Sequence, residues 1–300
     1  MTPAELLATI ARRPLLLDGG LGTVFISMGL GQGQPPERWL IDHPDRVLQA
    51  HRLYVQAGSD VIHTTTFGAT PIKLASAGLT GRCEELNKRA VDLARQAAGS
   101  AALVAGDIGP TGRFLPPMGD VREDELLEAF AAQIEALRSA GVDLLSIETM
   151  YDLREARAAL RAARESGLGV LCSMTFDVKR KGVYTIMGDR LEPTLEALRD
   201  NGATAVGFNC TVTSDAMVAM VEKAAQALPG AAIVAQPNAG QPITSPQGVR
   251  YDADAGAFAA DLMLMVARGA RLIGGCCGTD ATFIRSARAA LDSLPAGSGA

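Results

Sequence analysis

The sequence predicts an α/β protein of a single domain, a closed (β/α)8 barrel of the TIM type that spans residues 1–294. Three observations predict this fold: short apolar segments recur along the chain, segments of helical periodicity lie between them, and glycine follows several predicted helices. Strand and helix therefore alternate, as they do in parallel sheets. A barrel of eight such units takes roughly 250 residues, which fits this chain of 300 residues, and an open doubly wound sheet is the alternative.

Eight apolar segments are the predicted strands. They are short and rich in Val, Ile, Leu and Ala, as is typical of strands buried on both faces of a parallel sheet. In chain order they are residues 15–19, 60–67, 102–109, 143–149, 169–176, 205–210, 232–238 and 271–277. The clearest helical segments between them are residues 123–139, 153–165, 214–227 and 253–268.

Glycine marks the ends of four predicted helices, at Gly58, Gly141, Gly202 and Gly269. Glycine is common directly after a helix because it adopts the left-handed backbone conformation without steric cost. Each of these glycines lies just before a predicted strand, so the helix-to-strand connections are expected to be short.

Charge and composition exclude several classes of function. The net charge is -5, and Arg180 and Lys181 are not part of a longer basic stripe, so we expect no nucleic-acid partner. The N-terminal residues lack the apolar core of a signal peptide, and the later apolar segments are interrupted by Asp or Arg, so we expect a soluble cytoplasmic protein without a membrane segment. Residues 295–300 are predicted to form a disordered tail. The sequence indicates no particular oligomeric state.

The sequence Asp-Gly-Gly-Leu-Gly at residues 18–22 has some likeness to a phosphate-binding loop. Its glycine spacing is not that of a dinucleotide fingerprint, and no helix is predicted directly behind it. We therefore expect no nucleotide site there.

Polar residues end or directly follow nearly every predicted strand. The carboxyl ends of all strands in a parallel barrel meet at one mouth, which is where the active sites of this fold lie. We therefore expect these side chains to meet in a functional site. They are Asp18, Thr64, Thr65, Thr66, Asp107, Glu148, Thr175, Asn209, Cys210, Asn238, Cys276 and Cys277.

Three of the five cysteines form a candidate metal site. Cys210 ends the sixth predicted strand, and the adjacent pair Cys276 and Cys277 ends the eighth, so the three sulfurs can meet above the barrel. Neighbouring side chains of a regular strand point to opposite faces, so this pair can share an ion only where the backbone leaves the extended form. Glycines on both sides of the pair, Gly275 and Gly278 among them, permit such a change.

Three thiolates favour zinc, and one zinc ion per chain is the predicted cofactor. Three protein ligands leave a fourth position for a substrate atom, as in catalytic zinc sites. Cys83 and Cys172 are expected to be ordinary buried cysteines. The three histidines, His43, His51 and His63, lack metal-ligand spacing and are expected to be structural or surface residues, and Trp39 is expected to cover the core.

Seven short motifs occur in the same order as in one known family. On these motifs the chain resembles the homocysteine S-methyltransferases from about residue 15 to residue 291. That family includes the homocysteine-binding module of cobalamin-dependent methionine synthase, betaine-homocysteine methyltransferase and S-methylmethionine-dependent enzymes. The motifs are Leu-Asp-Gly-Gly-Leu-Gly-Thr at 17–23, Thr-Thr-Thr-Phe at 64–67, Gly-Pro-Thr-Gly at 109–112, Glu-Thr at 148–149, Gly-Phe-Asn-Cys at 207–210, Pro-Asn-Ala-Gly at 237–240 and Gly-Gly-Cys-Cys-Gly-Thr at 274–279.

The resemblance implies a (β/α)8 barrel and a role for each matching residue. The implied zinc ligands are Cys210, Cys276 and Cys277, which act in catalysis through the metal. The resemblance implies that Asp18 and Glu148 contact the substrate ammonium, and it implies a catalytic role for Glu148 as well. The amides of Gly19 and Gly20 are expected near the substrate carboxylate and Asn238 near the metal. Thr66 is a further substrate-binding candidate at the mouth, without a specified contact.

The resemblance also implies the reaction: zinc-dependent transfer of a methyl group to the thiolate of homocysteine, which forms methionine and so belongs to methionine biosynthesis. The expected donor is a small onium compound such as betaine, S-methylmethionine, S-adenosylmethionine or another sulfonium. The methionine-synthase module usually has Asn where this chain has Thr65, so the contact made by that Asn does not carry over. Residues 178–190, after the fifth predicted strand, also depart from the family forms, so the donor stays open.

Two alternatives remain. In the first, the chain is the homocysteine-binding subunit of a split methionine synthase and takes its methyl group from methylcobalamin on a separate corrinoid protein. This alternative is open because no folate- or cobalamin-binding module follows the barrel in this sequence. In the second, the chain is a non-catalytic barrel with a structural zinc ion.

Overall fold

A computed structural model describes residues 1–31, 33–245 and 248–294. Its centre is a sheet of eight strands, and every neighbouring pair in that sheet is parallel. A parallel bridge between Leu17 and Val61 joins the two edges of the sheet. The predicted single-domain (β/α)8 barrel is confirmed.

The barrel strands follow one another around the sheet in chain order. They are β1 (Leu15–Leu16), β2 (Val61–His63), β3 (Leu103–Ile108), β4 (Leu144–Met150), β5 (Val170–Met174), β8 (Ala205–Thr213), β9 (Ile233–Asn238) and β12 (Ala270–Ile273). Two antiparallel hairpins lie outside the barrel: β6 (Asp177–Lys179) with β7 (Gly182–Tyr184), and β10 (Pro242–Ser245) with β11 (Gly248–Tyr251). Both hairpins follow the carboxyl end of a barrel strand, so they lie at the mouth.

Helices separate most of the strands and form the outer layer. They are α1 (Pro3–Arg12), α2 (Leu21–Ser27), α3 (Trp39–Asp42), α4 (Pro44–Ala57), α5 (Pro71–Ser76), α6 (Cys83–Ala98), α7 (Glu123–Ala140), α8 (Leu153–Ala163), α9 (Leu191–Asp200), α10 (Ser214–Ala227), α11 (Ala255–Ala267) and α12 (Ala281–Asp292). All four predicted C-terminal glycines have positive φ, at 98° for Gly58, 90° for Gly141, 99° for Gly202 and 108° for Gly269. The predicted helix ends are therefore confirmed.

The apolar core has two layers. The larger layer lies between strands and helices and contains Phe25, Phe130 and Phe208, among many aliphatic side chains. The smaller layer fills the barrel and extends to Leu6 and Ile10 of α1. Helix α1 therefore covers the amino-terminal end of the barrel, which leaves the mouth at the carboxyl ends of the strands as the place for a substrate.

The first and last barrel strands are shorter than predicted. Strand β1 ends at Leu16 rather than residue 19, and β12 ends at Ile273 rather than residue 277. Beyond these ends the backbone makes hydrogen bonds outside the regular sheet. The amide of Gly275 donates to the carbonyl of Asp18 at 3.0 Å, and the amide of Cys276 donates to the carbonyl of Pro237 at 2.9 Å. The chain thus leaves the extended form where the sequence places its candidate site.

The expectation that no helix opens behind residues 18–22 is wrong, because α2 begins at Leu21. Protein atoms nevertheless fill the space beside this loop. The amide of Gly20 donates to Thr279, and a Cβ atom on Gly20 would lie 2.5 Å from the carbonyl oxygen of Cys276. The loop is therefore a close backbone contact between the start and the end of the barrel.

None of the helices in the described part of the chain is both long and apolar enough to cross a membrane. The predicted disordered tail, residues 295–300, lies outside the described residues.

Substitution of Gly207 in β8 tests the close packing of the barrel strands. A Cβ atom there would lie 1.9 Å from the carbonyl oxygen of Val234 in β9, and a backbone atom cannot move aside as a side chain can. We expect Gly207→Ala to lower the free energy of unfolding by about 3 kcal/mol or more. The control is Gly22→Ala in α2, where the added methyl group meets no atom within 4 Å and stability should stay within about 1 kcal/mol. Thermal and urea unfolding of both variants measure this, and equal stability would contradict it.

Candidate active site

Three cysteine sulfurs meet at the mouth of the barrel. The Sγ atoms of Cys210, Cys276 and Cys277 all lie within 4.8 Å of one another, and those of Cys210 and Cys277 are 3.7 Å apart. Two sulfurs on one tetrahedral zinc ion, each with a bond of about 2.3 Å, are about 3.8 Å apart, whereas a disulfide bond is about 2.05 Å. The spacing therefore fits a shared cation and not a disulfide.

The backbone around each cysteine leaves regular strand geometry. Cys210 and Thr211 have φ values of 61° and 60°, and the register between β8 and β9 shifts between Asn209 and Thr213. This irregularity turns Cys210 out of the alternation of the strand. Cys276 and Cys277 lie beyond the end of β12, so their side chains are also free of that alternation. The predicted departure from extended backbone is confirmed.

The protonation of the three thiols is coupled through their sulfurs. Hydrogen bonds from Cys276 and Cys277 lower the pKa of Cys210 to about 3. The hydrogen bond with Cys210 raises the pKa of Cys277 to about 11, and the hydrogen bonds with Cys210 and Cys277 raise the pKa of Cys276 well above its usual range. A divalent cation bound among the three sulfurs would favour the ionised form of all of them.

Two asparagine side chains hold the cluster. Asn209 donates to Cys276 Sγ at 3.7 Å and to Thr149 Oγ1 at 2.7 Å, and it accepts from the amide of Thr149 at 2.8 Å. Asn238 accepts from the amide of Cys277 at 3.1 Å and donates to Cys210. These contacts link the ends of β4, β8 and β9 to the three sulfurs, and they place Asn238 beside the cysteine cluster.

A second polar cluster lies at the ends of β1, β2 and β4. Asp18 Oδ1 lies 2.6 Å from His63 Nδ1, and Asp18 Oδ2 accepts from the amide of His63 at 2.9 Å. The other ring nitrogen of His63 lies 3.0 Å from Ser146 Oγ and 3.8 Å from Glu148 Oε2. The structure thus brings the predicted pair Asp18 and Glu148 together, with His63 between them.

Charge in this second cluster is balanced by His63. Burial alone would lower the pKa of His63, but the charges of Asp18 and Glu148 and the hydrogen bond to Asp18 raise it to about 10. His63 is therefore an imidazolium at neutral pH. Burial raises the pKa of Glu148, and burial together with Glu148 raises the pKa of Asp107 well above its usual range.

Two substrate-binding candidates already make hydrogen bonds within the protein, so they are less free to contact a substrate than the sequence indicated. The amide of Gly20 donates to the carbonyl of Thr279 at 3.0 Å, so a substrate carboxylate would have to share that donor. The hydroxyl of Thr66 donates to the carbonyl of Asp107 at 2.7 Å and is fully buried. Thr66 therefore braces the loop after β2 against β3.

The expectation for His63 is incomplete, since this residue is buried within the site. The lack of metal-ligand spacing hid it, and the predicted strand 60–67 placed it inside a strand, whereas β2 ends at His63. His51 is buried, and His43 contacts Trp39, so these two are structural as expected. Trp39 packs against Phe25 with ring centroids 5.5 Å apart, which confirms its place in the core.

Comparisons with known proteins agree with this geometry. The family model for homocysteine S-methyltransferase matches residues 15–291. The metallated form of the homocysteine methyltransferase MmuM from Escherichia coli is 26% identical, with a TM-score of 0.77 over 96% of this chain and 99% of that one. Its oxidized form is 25% identical at the same TM-score and coverage. The carboxyl transferase domain of Rhizobium etli pyruvate carboxylase is 13% identical, with a TM-score of 0.55 over 97% of this chain and 50% of that one, and shows likeness of fold alone.

The two classes of cysteine make a matched pair for a test of the metal site. Cys210→Ser removes one of three sulfurs, and we expect zinc affinity to fall by more than about 100-fold, since even outer contacts of metal sites contribute 10- to 100-fold. Cys172→Ser changes a thiol that is fully buried in β5, away from the cluster, and should leave zinc content unchanged. Elemental analysis and chelator competition measure both. Equal zinc binding by the two variants would contradict the assignment.

Proposed function

The chain belongs to the homocysteine S-methyltransferase family and is a methyltransferase, and on that premise we propose that it binds one zinc ion and transfers a methyl group from a small onium donor to the thiolate of homocysteine. The product is methionine. The donor class includes betaine, S-methylmethionine, S-adenosylmethionine and other sulfonium compounds. The non-catalytic alternative has no support in a chain of this family.

One observation carries the proposal: the sulfurs of Cys210, Cys276 and Cys277 lie within 4.8 Å of one another at the mouth of the barrel, with Cys210 and Cys277 3.7 Å apart. Three ligands from the protein leave room for a fourth sulfur, that of the substrate. The metallated form of MmuM, similar over nearly the whole chain, supports the binding of a metal.

The residues of the chain prepare the substrate for attack. Bound zinc supplies the acidity that turns the homocysteine thiol into a thiolate at neutral pH, where a free thiol of pKa about 8.5 is mostly protonated. The carboxylate of Glu148, at the end of β4, is positioned to pair with the substrate ammonium and so hold the substrate sulfur toward the three cysteines. Asn209 and Asn238 keep those cysteines oriented.

The charge of the site favours a cationic donor. Three ionised cysteines and the substrate thiolate would exceed the charge of a bound divalent zinc ion by two, and Asp18 and Glu148 add negative charge that His63 offsets in part. In the transfer, a bond forms between the homocysteine sulfur and the methyl carbon while the bond from that carbon to the onium atom breaks. The bonding pair stays with the onium atom, which leaves neutral, and the thiol proton is released to solvent. The loss of positive charge from the donor balances the loss of negative charge from sulfur.

The split methionine synthase is a second candidate, favoured by one feature of the mouth. Hairpin β6–β7 and the segment after it expose apolar side chains there: Val178 is 52% exposed and Ile186 is 78% exposed. Exposed apolar residues next to an active site suit contact with another protein, such as a corrinoid carrier. That carrier would supply its methyl group from methylcobalamin.

A donor panel separates the two candidates. The zinc-loaded protein is assayed with homocysteine and each onium compound, and separately with methylcobalamin, with methionine formation as the readout. We expect turnover with at least one onium donor in the absence of any other protein. Turnover only with a methylated corrinoid protein would replace the onium proposal with the second candidate.

Glu148→Gln tests the ammonium contact. The change keeps the shape of the side chain and removes its charge, so we expect the KM for homocysteine to rise by about 10- to 100-fold, the usual contribution of a buried charge-assisted contact. The control is Glu155→Gln, which alters another buried carboxylate whose partner is Thr111. Its effect should fall on stability and leave KM within about threefold. A Glu148→Gln enzyme with unchanged KM would contradict the contact.

A further inference from the structure

Tyr251 in β11 packs against the loop that carries two of the three clustered cysteines. A Cβ atom on Gly278 would lie 2.3 Å from the Cγ atom of Tyr251, so the aromatic ring lies directly on the backbone that follows Cys277. Only glycine leaves room for the ring, and its φ of 83° is a second reason for glycine at this position. The ring is therefore held beside the cysteine cluster by contact with the main chain.

Backbone hydrogen bonds hold the end of β11 at the same loop. The amide of Ala239, after β9, donates to the carbonyl of Cys277 at 2.9 Å. The carbonyl of Ala239 accepts from the amide of Ala253 at 3.2 Å, and Ala253 lies two residues after Tyr251. The position of Tyr251 thus follows from main-chain contacts as well as from the packing of its ring.

The hydroxyl of Tyr251 donates a hydrogen bond to the Sγ atom of Cys277. A phenol has an ordinary pKa of about 10, so toward a thiolate at neutral pH it can only donate. The other two sulfurs of the cluster accept from the side-chain amides of Asn209 and Asn238. Each sulfur therefore has an uncharged donor, and for Cys277 this donor is a phenol.

The proposed reaction brings these sulfurs close to a methylating agent. Attack by Cys277 on the donor would form a bond from Sγ to the methyl carbon and break the bond from that carbon to the onium atom. The onium atom would keep the bonding pair and leave neutral, and the cysteine would become a neutral thioether in place of an anionic metal ligand. Such self-methylation would inactivate the site, so the cysteines have to be poorer nucleophiles than the substrate thiolate.

We propose that Tyr251 acts through Cys277 as a positioning residue: its hydrogen bond makes Cys277 a poorer nucleophile, so that the methyl group passes to the substrate sulfur and not to the protein. A hydrogen bond to a thiolate draws charge from the sulfur, and the nucleophilicity of thiolates falls with their basicity. This inference rests on the proposed function, because it concerns a site in which metal-bound cysteines and a substrate thiolate face one methyl donor.

Tyr251→Phe tests the proposal. Phenylalanine keeps the ring on Gly278 and removes only the hydroxyl, so the fold and the zinc content should be retained. The zinc-loaded proteins are treated with iodomethane in the absence of homocysteine, and S-methylation of each cysteine is followed by peptide mass spectrometry. We expect the rate at Cys277 to rise about tenfold, the size of one hydrogen bond to a charged group, and the rate at Cys210 to stay within about threefold.

The matched control is Tyr184→Phe in β7. The hydroxyl of Tyr184 donates to the carbonyl of Lys181 at 3.2 Å, and its loss should leave the methylation of Cys277 unchanged. A second measurement uses the cobalt(II)-substituted proteins, in which the charge-transfer band from sulfur to metal reports the charge on the thiolates. Because a thiolate without its hydrogen bond gives up an electron more readily, we expect this band to shift to longer wavelength in Tyr251→Phe and not in the control.

Equal methylation of Cys277 in the wild type and in Tyr251→Phe would overturn the proposal. Equal acceleration at all three cysteines would overturn it as well, because the substitution would then have opened the mouth. Faster methylation of Cys277 without a shift of the cobalt band would show that the hydroxyl only covers the sulfur, which also overturns the proposal. If no donor yields methionine while the contrast at Cys277 holds, the proposed function fails and the role of Tyr251 stands, since iodomethane needs no donor site.

Discussion

The convergence of three cysteine sulfurs from two strands is the constraint on which the rest of the site depends. Cys210 and Cys277 belong to β8 and to the loop after β12, which are separated in the sheet by β9, yet their sulfurs are 3.7 Å apart. A regular strand cannot place them so. The backbone therefore takes positive φ at Cys210, and the chain leaves the sheet after Ile273. The asparagine contacts and the close approach of Gly20 to Cys276 follow from these departures.

The distribution of charge at the mouth follows from the same convergence. The three sulfurs lie on the side formed by β8 and β12, and the carboxylates of Asp18 and Glu148 lie at the ends of β1 and β4. The proposed function puts a cation on each side: a metal among the sulfurs and an ammonium beside the carboxylates. Homocysteine bears an ammonium and a thiol on one short chain, so it can meet both sides at once. His63 limits the excess of negative charge on the carboxylate side.

Much of this site was predictable because strand ends in a parallel barrel share one mouth. Alternating apolar and helical segments indicated the barrel, and the cysteines at two strand ends indicated the metal cluster. The bend at Cys210 was not predictable, since no glycine lies beside that residue and its positive φ is imposed by contacts distant in sequence. The start of α2 was missed because seven residues are too few for a clear helical period. His63 was missed because its partners, Asp18 and Ser146, lie 45 and 83 residues away in the chain.

Backbone strain is concentrated beside the reacting groups. Thr149, Cys210 and Thr211 have φ values of 59°, 61° and 60°, in the left-handed region that is costly for residues other than glycine. Asn209 offsets part of this cost, since it bonds to both the amide and the hydroxyl of Thr149, and Thr211 donates to the carbonyl of Phe176 at 2.7 Å. The same asparagine reaches Cys276 Sγ. One side chain therefore holds the residue after Glu148 and a cysteine of the cluster in a fixed relation, which would set the distance between the proposed ammonium contact at Glu148 and the sulfurs before a substrate binds.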